Sequence, residues 1–206
     1  MRGLKLLSAI FLFLLFVSFS YLVHKNIFNS FDFDTTVRIQ DHIDSRIETF
    51  FSFLSLLGSL EILSLVLIPI FLFRRKISSV LIPISYIFIH IFELYGKTFV
   101  QHLGPPFMFF HYNINFLFPS SYVKPGFSYP SGHSSRTAFL SVILLFFLLK
   151  SKKPSNLQKL VISILIISFD LVMFASRVYL GEHWTSDVIG GALLGWALAF
   201  LTIAFL

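Results

Sequence analysis

Arg177, His183 and Asp187 are residue types that handle phosphate, and they stand at fixed separations within Ala175–Gly191 (ASRVYLGEHWTSDVIGG). If the segment after Gly181 is helical, His183 and Asp187 lie one turn apart and share a face. A carboxylate so placed can accept a hydrogen bond from one imidazole nitrogen, fix the tautomer and leave the other nitrogen free to attack. Arg177 adds a planar fork of donors suited to phosphate oxygens. Upstream, Tyr129–Arg136 reads YPSGHSSR. Pro130 interrupts regular structure there, and Gly132 lets the backbone come close to an anion. Free amides at the start of the next helix would point at that anion. His133 is a second imidazole, and one nucleophile plus one acid is the minimum for covalent phosphoryl transfer. A third piece is Lys97, at the end of a long apolar run and followed by Gly104-Pro105-Pro106.

The elements that must position these groups are read from composition and charge. Of 206 residues, 56% are hydrophobic and 13% charged, and the mean hydropathy is +0.83. This is the balance of a polytopic membrane protein, with no cysteine for a disulfide framework or a thiolate metal site. The net charge of +6 does not point to nucleic acid, because the basic residues fall in short clusters between apolar runs.

Six spans are expected in one all-α, membrane-embedded domain over residues 1–206. Leu4–Val23 is an uncleaved first helix, lacking the short core and small-residue cleavage site of a signal peptide. The segment from His24 to about Ser52 holds Asp32, Asp34, Asp41, Asp44 and Glu48, half of the ten acids. Ile39, Ile43, Ile47, Phe50 and Leu54 recur there at helical spacing, which predicts an amphipathic helix on the membrane surface. It leads into a second span, about Phe53 to Phe73, that ends in Arg74-Arg75-Lys76. A third span, about Ile77 to Gly96, delivers His90, Glu93 and Lys97 on one face. A long outer loop to about Ser134 carries Pro105, Pro106, Pro119, Pro125 and Pro130; loops of that length are usually functional. The remaining spans run from about Ser135 to Leu149, Leu157 to Ala175 and Asp187 to Leu206.

With both termini inside, the cytoplasmic segments hold Arg2, Lys5, Arg74, Arg75, Lys76, Lys150, Lys152, Lys153 and Lys159 and no acid, the positive-inside pattern. Lys97, His133, Arg177 and His183 then fall together on the outer side of the inner (plasma) membrane.

The order of these motifs resembles the type-2 phosphatidic acid phosphatase family, relatives of the vanadium-dependent haloperoxidases. Ser176 to Asp187 matches that family's S-R-x5-H-x3-D without a gap, and Pro130 to His133 matches its P-S-G-H. Its K-x6-R-P is met by Lys97 and Pro105, with Gly104 standing where the arginine belongs. The likeness spans roughly Lys97 to Gly195. It implies that His183 attacks phosphorus to form a phosphohistidine, that Asp187 orients His183, and that His133 protonates the leaving oxygen. Lys97, Arg177 and the backbone around Ser131 and Gly132 would hold the charged oxygens. Arg136, three residues after His133, is the candidate to replace the missing arginine; the bland alternative is that it snorkels to the headgroups. No metal or other cofactor is implied, since the cations are side chains.

The implied function is an integral membrane phosphatase acting on a lipid phosphate or diphosphate. Undecaprenyl diphosphate, phosphatidic acid and phosphatidylglycerol phosphate all suit such a site. A lipid phosphotransferase would share the intermediate and pass phosphate to an alcohol. An intramembrane serine protease using Ser131 and His183 would need neither Asp187 nor Arg177 nor Lys97. A non-catalytic lipid carrier finds its support in Gly104. Among the other polar residues, Glu93 is expected to pair with Lys97, and Asp170 to pair with and position Arg177. His90, His102 and His111 lack the carboxylate–histidine partners of a metal site. Gly191 and Gly195 form a G-x-x-x-G pair suited to close helix packing.

Overall fold

The apolar runs form helices throughout the computed structural model, which describes residues 2–73, 77–111 and 126–206. The basic cluster Arg74-Arg75-Lys76 and the loop prolines Pro119 and Pro125 lie outside the described residues. In chain order the helices are α1 (Arg2–His24), α2 (Asn29–His42), α3 (Glu48–Leu57), α4 (Leu60–Phe73), α5 (Leu81–Phe99), α6 (Gly132–Lys150), α7 (Asn156–Tyr179) and α8 (Thr185–Phe205). No strand occurs among the described residues; a lone bridge pairs Leu103 with Phe127.

Helices α1, α6, α7 and α8, and α5 with the 3-10 turn before it, are long and apolar enough to cross a membrane. The chain is therefore an all-helical, multi-pass membrane protein. Closing every backbone bond within a segment is what permits these runs to sit in lipid. Leu7, Phe11 and Leu14 of α1, and Leu160, Ile164 and Leu171 of α7, point outward as lipid-facing surface.

The expected second span is not one straight helix. Helix α3, with the 3-10 turn before it, meets α4 at Gly58-Ser59 with a bend of 49°, and only taken together are they long and apolar enough for a sixth crossing. The break falls at a glycine that has no room for a side chain. The His133 ring carbon Cδ2 sits 2.8 Å from where a Cβ on residue 58 would be. Gly58 thus admits the site histidine, and its carbonyl accepts from Arg136 Nε at 3.4 Å. The expected surface helix is likewise broken. Helix α2 stops at His42, Ile43 is extended, and a 3-10 turn over Ser45–Ile47 leads into α3. Asp44 caps that turn by accepting from Arg46 N at 2.9 Å, a local bond that competes with a continuous helix.

Helix α8 sits at the centre, against α6, α1 and α5. Its Gly191 and Gly195 meet the carbonyl oxygens of Ser131 and Ser135 so closely that a side chain could not intervene. The G-x-x-x-G pair therefore brings two backbones together. The segments Pro130–His133 and Ser176–Asp187 are thereby held side by side, joined by Ser131 N donating to the Asp187 carbonyl at 2.9 Å. Phe16, Ile82, Ile89, Tyr129, Phe139 and Leu194 pack around this crossing as core.

Candidate functional site

Four helix ends converge here: the C-termini of α5 and α7 and the N-termini of α6 and α8. Ser131 caps α6, its hydroxyl accepting from Ser134 N at 3.4 Å. Ser135 N bonds the Ser131 carbonyl and Ser131 N is spent on Asp187. Gly132 and His133 occupy the first helical positions of α6, where an amide has no partner within the helix. The Ser131 hydroxyl, wholly buried and also accepting from Ser134 Oγ at 3.1 Å, is poorly placed as a protease nucleophile.

His183 is not on the helix that carries Asp187. Helix α7 ends at Tyr179, and Gly181 turns the chain with φ +69°, pressed against the Phe109 carbonyl. Only glycine fits that left-handed, crowded position. The turn returns His183 N to the Arg177 carbonyl at 3.3 Å. Asp187, in the first turn of α8, reaches back over its own N-terminus and accepts from Trp184 N at 2.9 Å. This capping contact, rather than helical i,i+4 spacing, sets its Oδ2 3.5 Å from His183 Nδ1. That separation exceeds a formed hydrogen bond and suits a contact that tightens on substrate binding. Burial holds the His183 imidazole below its ordinary pKa, with Arg177 and Lys97 adding to the effect and Asp187 opposing it.

The shortest side-chain partner of Asp187 is one that sequence reasoning passed over. His102 Nδ1 donates to Asp187 Oδ1 at 2.8 Å, and its Nε2 lies 3.9 Å from Asp32 Oδ2. Asp32, expected on a surface helix, is buried and accepts from both the amide and the hydroxyl of Ser186 at 2.7 Å. Burial raises its carboxyl pKa against those two bonds. No spacing rule links residues 32, 102 and 187, so only tertiary contact could reveal the group.

The cations are matched with acids. Arg177 is wholly buried and bonds Glu182 and the Ser55 hydroxyl. Glu93 accepts from Lys97 at 2.8 Å, as expected, and also from Arg136 at 2.9 Å, with His90 at 3.6 Å. The Glu93 carboxylate presses on Gly132, at the start of α6. Arg136 is only 5% exposed, so it does not snorkel to the headgroups. Together with Lys97, Arg177 and His183 it lies within electrostatic reach of His133. At Gly104 a Cβ would meet its nearest neighbours at 3.5 Å, an ordinary contact, so the missing arginine is not excluded by crowding at its first carbon. Asp170 does not position Arg177; it takes the Ser141 hydroxyl at 2.7 Å instead. Among the described residues no group of three or more His, Cys, Asp or Glu is placed to hold a metal ion.

Residues 76–206, which hold every motif of this site, match the PAP2 superfamily. The chain belongs to the PAP2 superfamily. Within it, the chain is 37% identical over 82 residues to phosphatidylglycerophosphatase B of Bacillus subtilis (strain 168), covering 40% of each protein. It is 33% identical over 140 residues to undecaprenyl-diphosphatase of Sulfolobus acidocaldarius, covering 66% of this chain and 59% of that one. The chain thus spans 40% and 59% of the lengths of these two relatives. The crystal structure of a transmembrane PAP2 type phosphatidylglycerolphosphate phosphatase from Bacillus subtilis superposes with TM-score 0.78 at 24% identity, over 96% of this chain and 95% of that one. The crystal structure of Aquifex aeolicus LpxE gives TM-score 0.63 at 21% identity, over 84% and 94%. At these identities the superpositions establish a shared fold. This PAP2 chain departs from the family's first motif at Gly104 and carries Arg136 and Glu93 beside the second.

Proposed function

We propose that this PAP2 protein is a membrane phosphatase that removes phosphate from a lipid phosphate or diphosphate through a phosphohistidine on His183. The observation that carries the reading is the buried His183–Asp187 pair, set beside His133 and ringed by Arg177, Lys97 and Arg136. A neutral imidazole is the attacking form, and burial favours it. Nε2 of His183 forms the bond to phosphorus while Nδ1 keeps its proton and turns it toward Asp187. His133 gives a proton to the departing lipid oxygen as the phosphorus–oxygen bond breaks. It then takes a proton from water, which attacks phosphorus, releases phosphate and restores His183. Guanidinium and ammonium groups, with the α6 amides, offset charge on the equatorial oxygens. An alcohol taking the place of water would make the protein a lipid phosphotransferase.

The relatives named phosphatidylglycerophosphatase and undecaprenyl-diphosphatase support glycerophospholipid phosphate and polyprenyl diphosphate as the first substrates to test. The positive-inside distribution supports inner-membrane placement, both termini in the cytoplasm and the site on the outer face, where a headgroup can enter while its tail stays in the bilayer. One domain over residues 1–206 is supported by the packing of α1, α5 and α6 against α8. Phosphate release from a panel of lipid phosphates by detergent-purified protein tests the reading.

Release is expected to continue in EDTA and to be blocked by vanadate, which mimics five-coordinate phosphorus. Activity lost in EDTA and restored by one divalent ion would overturn a cradle built from side chains alone. A further expected result concerns Arg136. Its loss should lower turnover by about 10²-fold, the effect of one well-placed donor. Adding Gly104→Arg to Arg136→Ala should recover part of that, since both would aim a guanidinium at the same phosphate. Full activity in Arg136→Ala alone would reduce Arg136 to a structural partner of Glu93.

A further inference from the structure

We infer that His102 is a positioning residue for this reaction, acting through Asp187 to fix the rotamer of that carboxylate and to share its charge before His183 draws on it. The inference rests on the reading of His183 as the nucleophile.

The geometry is a clamp. Asp187 Oδ1 accepts from His102 Nδ1 at 2.8 Å and Oδ2 accepts from Trp184 N at 2.9 Å, whereas His183 Nδ1 stands off at 3.5 Å. Two formed bonds, one to each oxygen, define the carboxylate plane and leave the weak third contact for His183. His102 is itself held: its carbonyl accepts from Ser128 N at 2.9 Å, and its far nitrogen faces Asp32 at 3.9 Å. Asp32 in turn is locked by Ser186, the residue before Asp187. His102 is 5% exposed, Asp32 1% and Asp187 0%, so each of these contacts acts with little solvent screening.

Charge gives the clamp a purpose. The groups facing His102 are Asp187 and Asp32; those facing His183 are Asp187, Arg177, Lys97 and His133. Burial disfavours a charged His102, yet the two carboxylates outweigh it and hold its pKa above the ordinary value. A His102 drawn toward its charged form between two acids offsets part of the Asp187 charge. An unshared Asp187 would pull harder on the proton of His183, favouring the imidazolium, which cannot attack. Shared, it still orients the ring and offsets the positive charge that His183 gains on bonding to phosphorus.

The test is kcat and KM against pH for hydrolysis of dioctanoyl phosphatidate by wild type, His102→Ala and His102→Gln, with trapping of the phosphoenzyme. His102→Ala is expected to lower kcat by about 10- to 100-fold, the usual effect of a buried orienting partner. Its KM should stay within about two-fold, because no substrate contact is removed. The acid limb of kcat/KM should move up by about one pH unit as Asp187 regains its full charge. Glutamine keeps a donor but no charge, so His102→Gln should recover most of kcat while its acid limb stays displaced. A wild-type acid limb in both variants overturns the inference, even if kcat falls, since that is the signature of a merely structural anchor. If His102→Ala does not fold, the acid limb of His102→Gln alone decides. Wild-type label on any residue but His183 means instead that the nucleophile assignment has failed.

Discussion

His183→Ala is expected to lower phosphate release by about 10⁴-fold or more while the protein stays folded, the scale seen when a covalent nucleophile is removed. The side chain is buried, but among the described residues its ring makes no hydrogen bond, Asp187 standing off at 3.5 Å and keeping its bonds to His102 and Trp184. Truncation therefore strands no bonded partner. The double variant His183→Ala/His133→Ala should be scarcely slower than His183→Ala alone. Two residues that act in one covalent cycle do not contribute independently, and without the nucleophile no leaving group remains for His133 to protonate. Quenched reactions with labelled substrate should mark wild type on a histidine, with acid-labile, base-stable label, and leave His183→Ala unlabelled. Label on Ser131, or additive losses in the double variant, would refute the mechanism.

Arg177→Lys should lower kcat by about 10²- to 10³-fold, the effect of removing a donor aimed at transferring charge. Lysine keeps the positive charge but loses the planar fork with which Arg177 would hold phosphate oxygens in the proposed reaction. The lysine variant is more informative than alanine. Arg177 is wholly buried against Glu182, and Arg177→Ala would leave that acid without its cation, at about 3–5 kcal/mol of stability. A melting temperature near wild type for Arg177→Lys, with kcat reduced and KM little changed, assigns the loss to the transition state. Unimpaired turnover in Arg177→Lys would remove Arg177 from the phosphate cradle and leave it a structural partner of Glu182 and Ser55.

Much of this protein is legible from residue order alone, because the physics involved is local. Apolar runs long enough to span a bilayer must be helices, since lipid offers no partner for backbone groups. Five crossings follow directly from that rule, as does the all-helical class. The close approach at Gly191 and Gly195 is also written in short-range chemistry. Pairing over one helical turn, as between Glu93 and Lys97, belongs with them.

What depends on meeting across the bundle was decided only by the tertiary structure. Hydropathy sees Phe53–Phe73 as one span, but the chain bends at Gly58-Ser59, where the His133 ring leaves room only for glycine. The acid at position 32 reads as a solvated charge on a polar helix, yet packing carries it under α8 to Ser186. Asp170 finds a serine one helix away rather than the arginine further along its own. His102 carries no motif, and its bond to Asp187 joins residues 85 positions apart. A buried charge takes whichever partner the fold brings within hydrogen-bond reach, and in a helical bundle that partner stands at no fixed spacing in the chain.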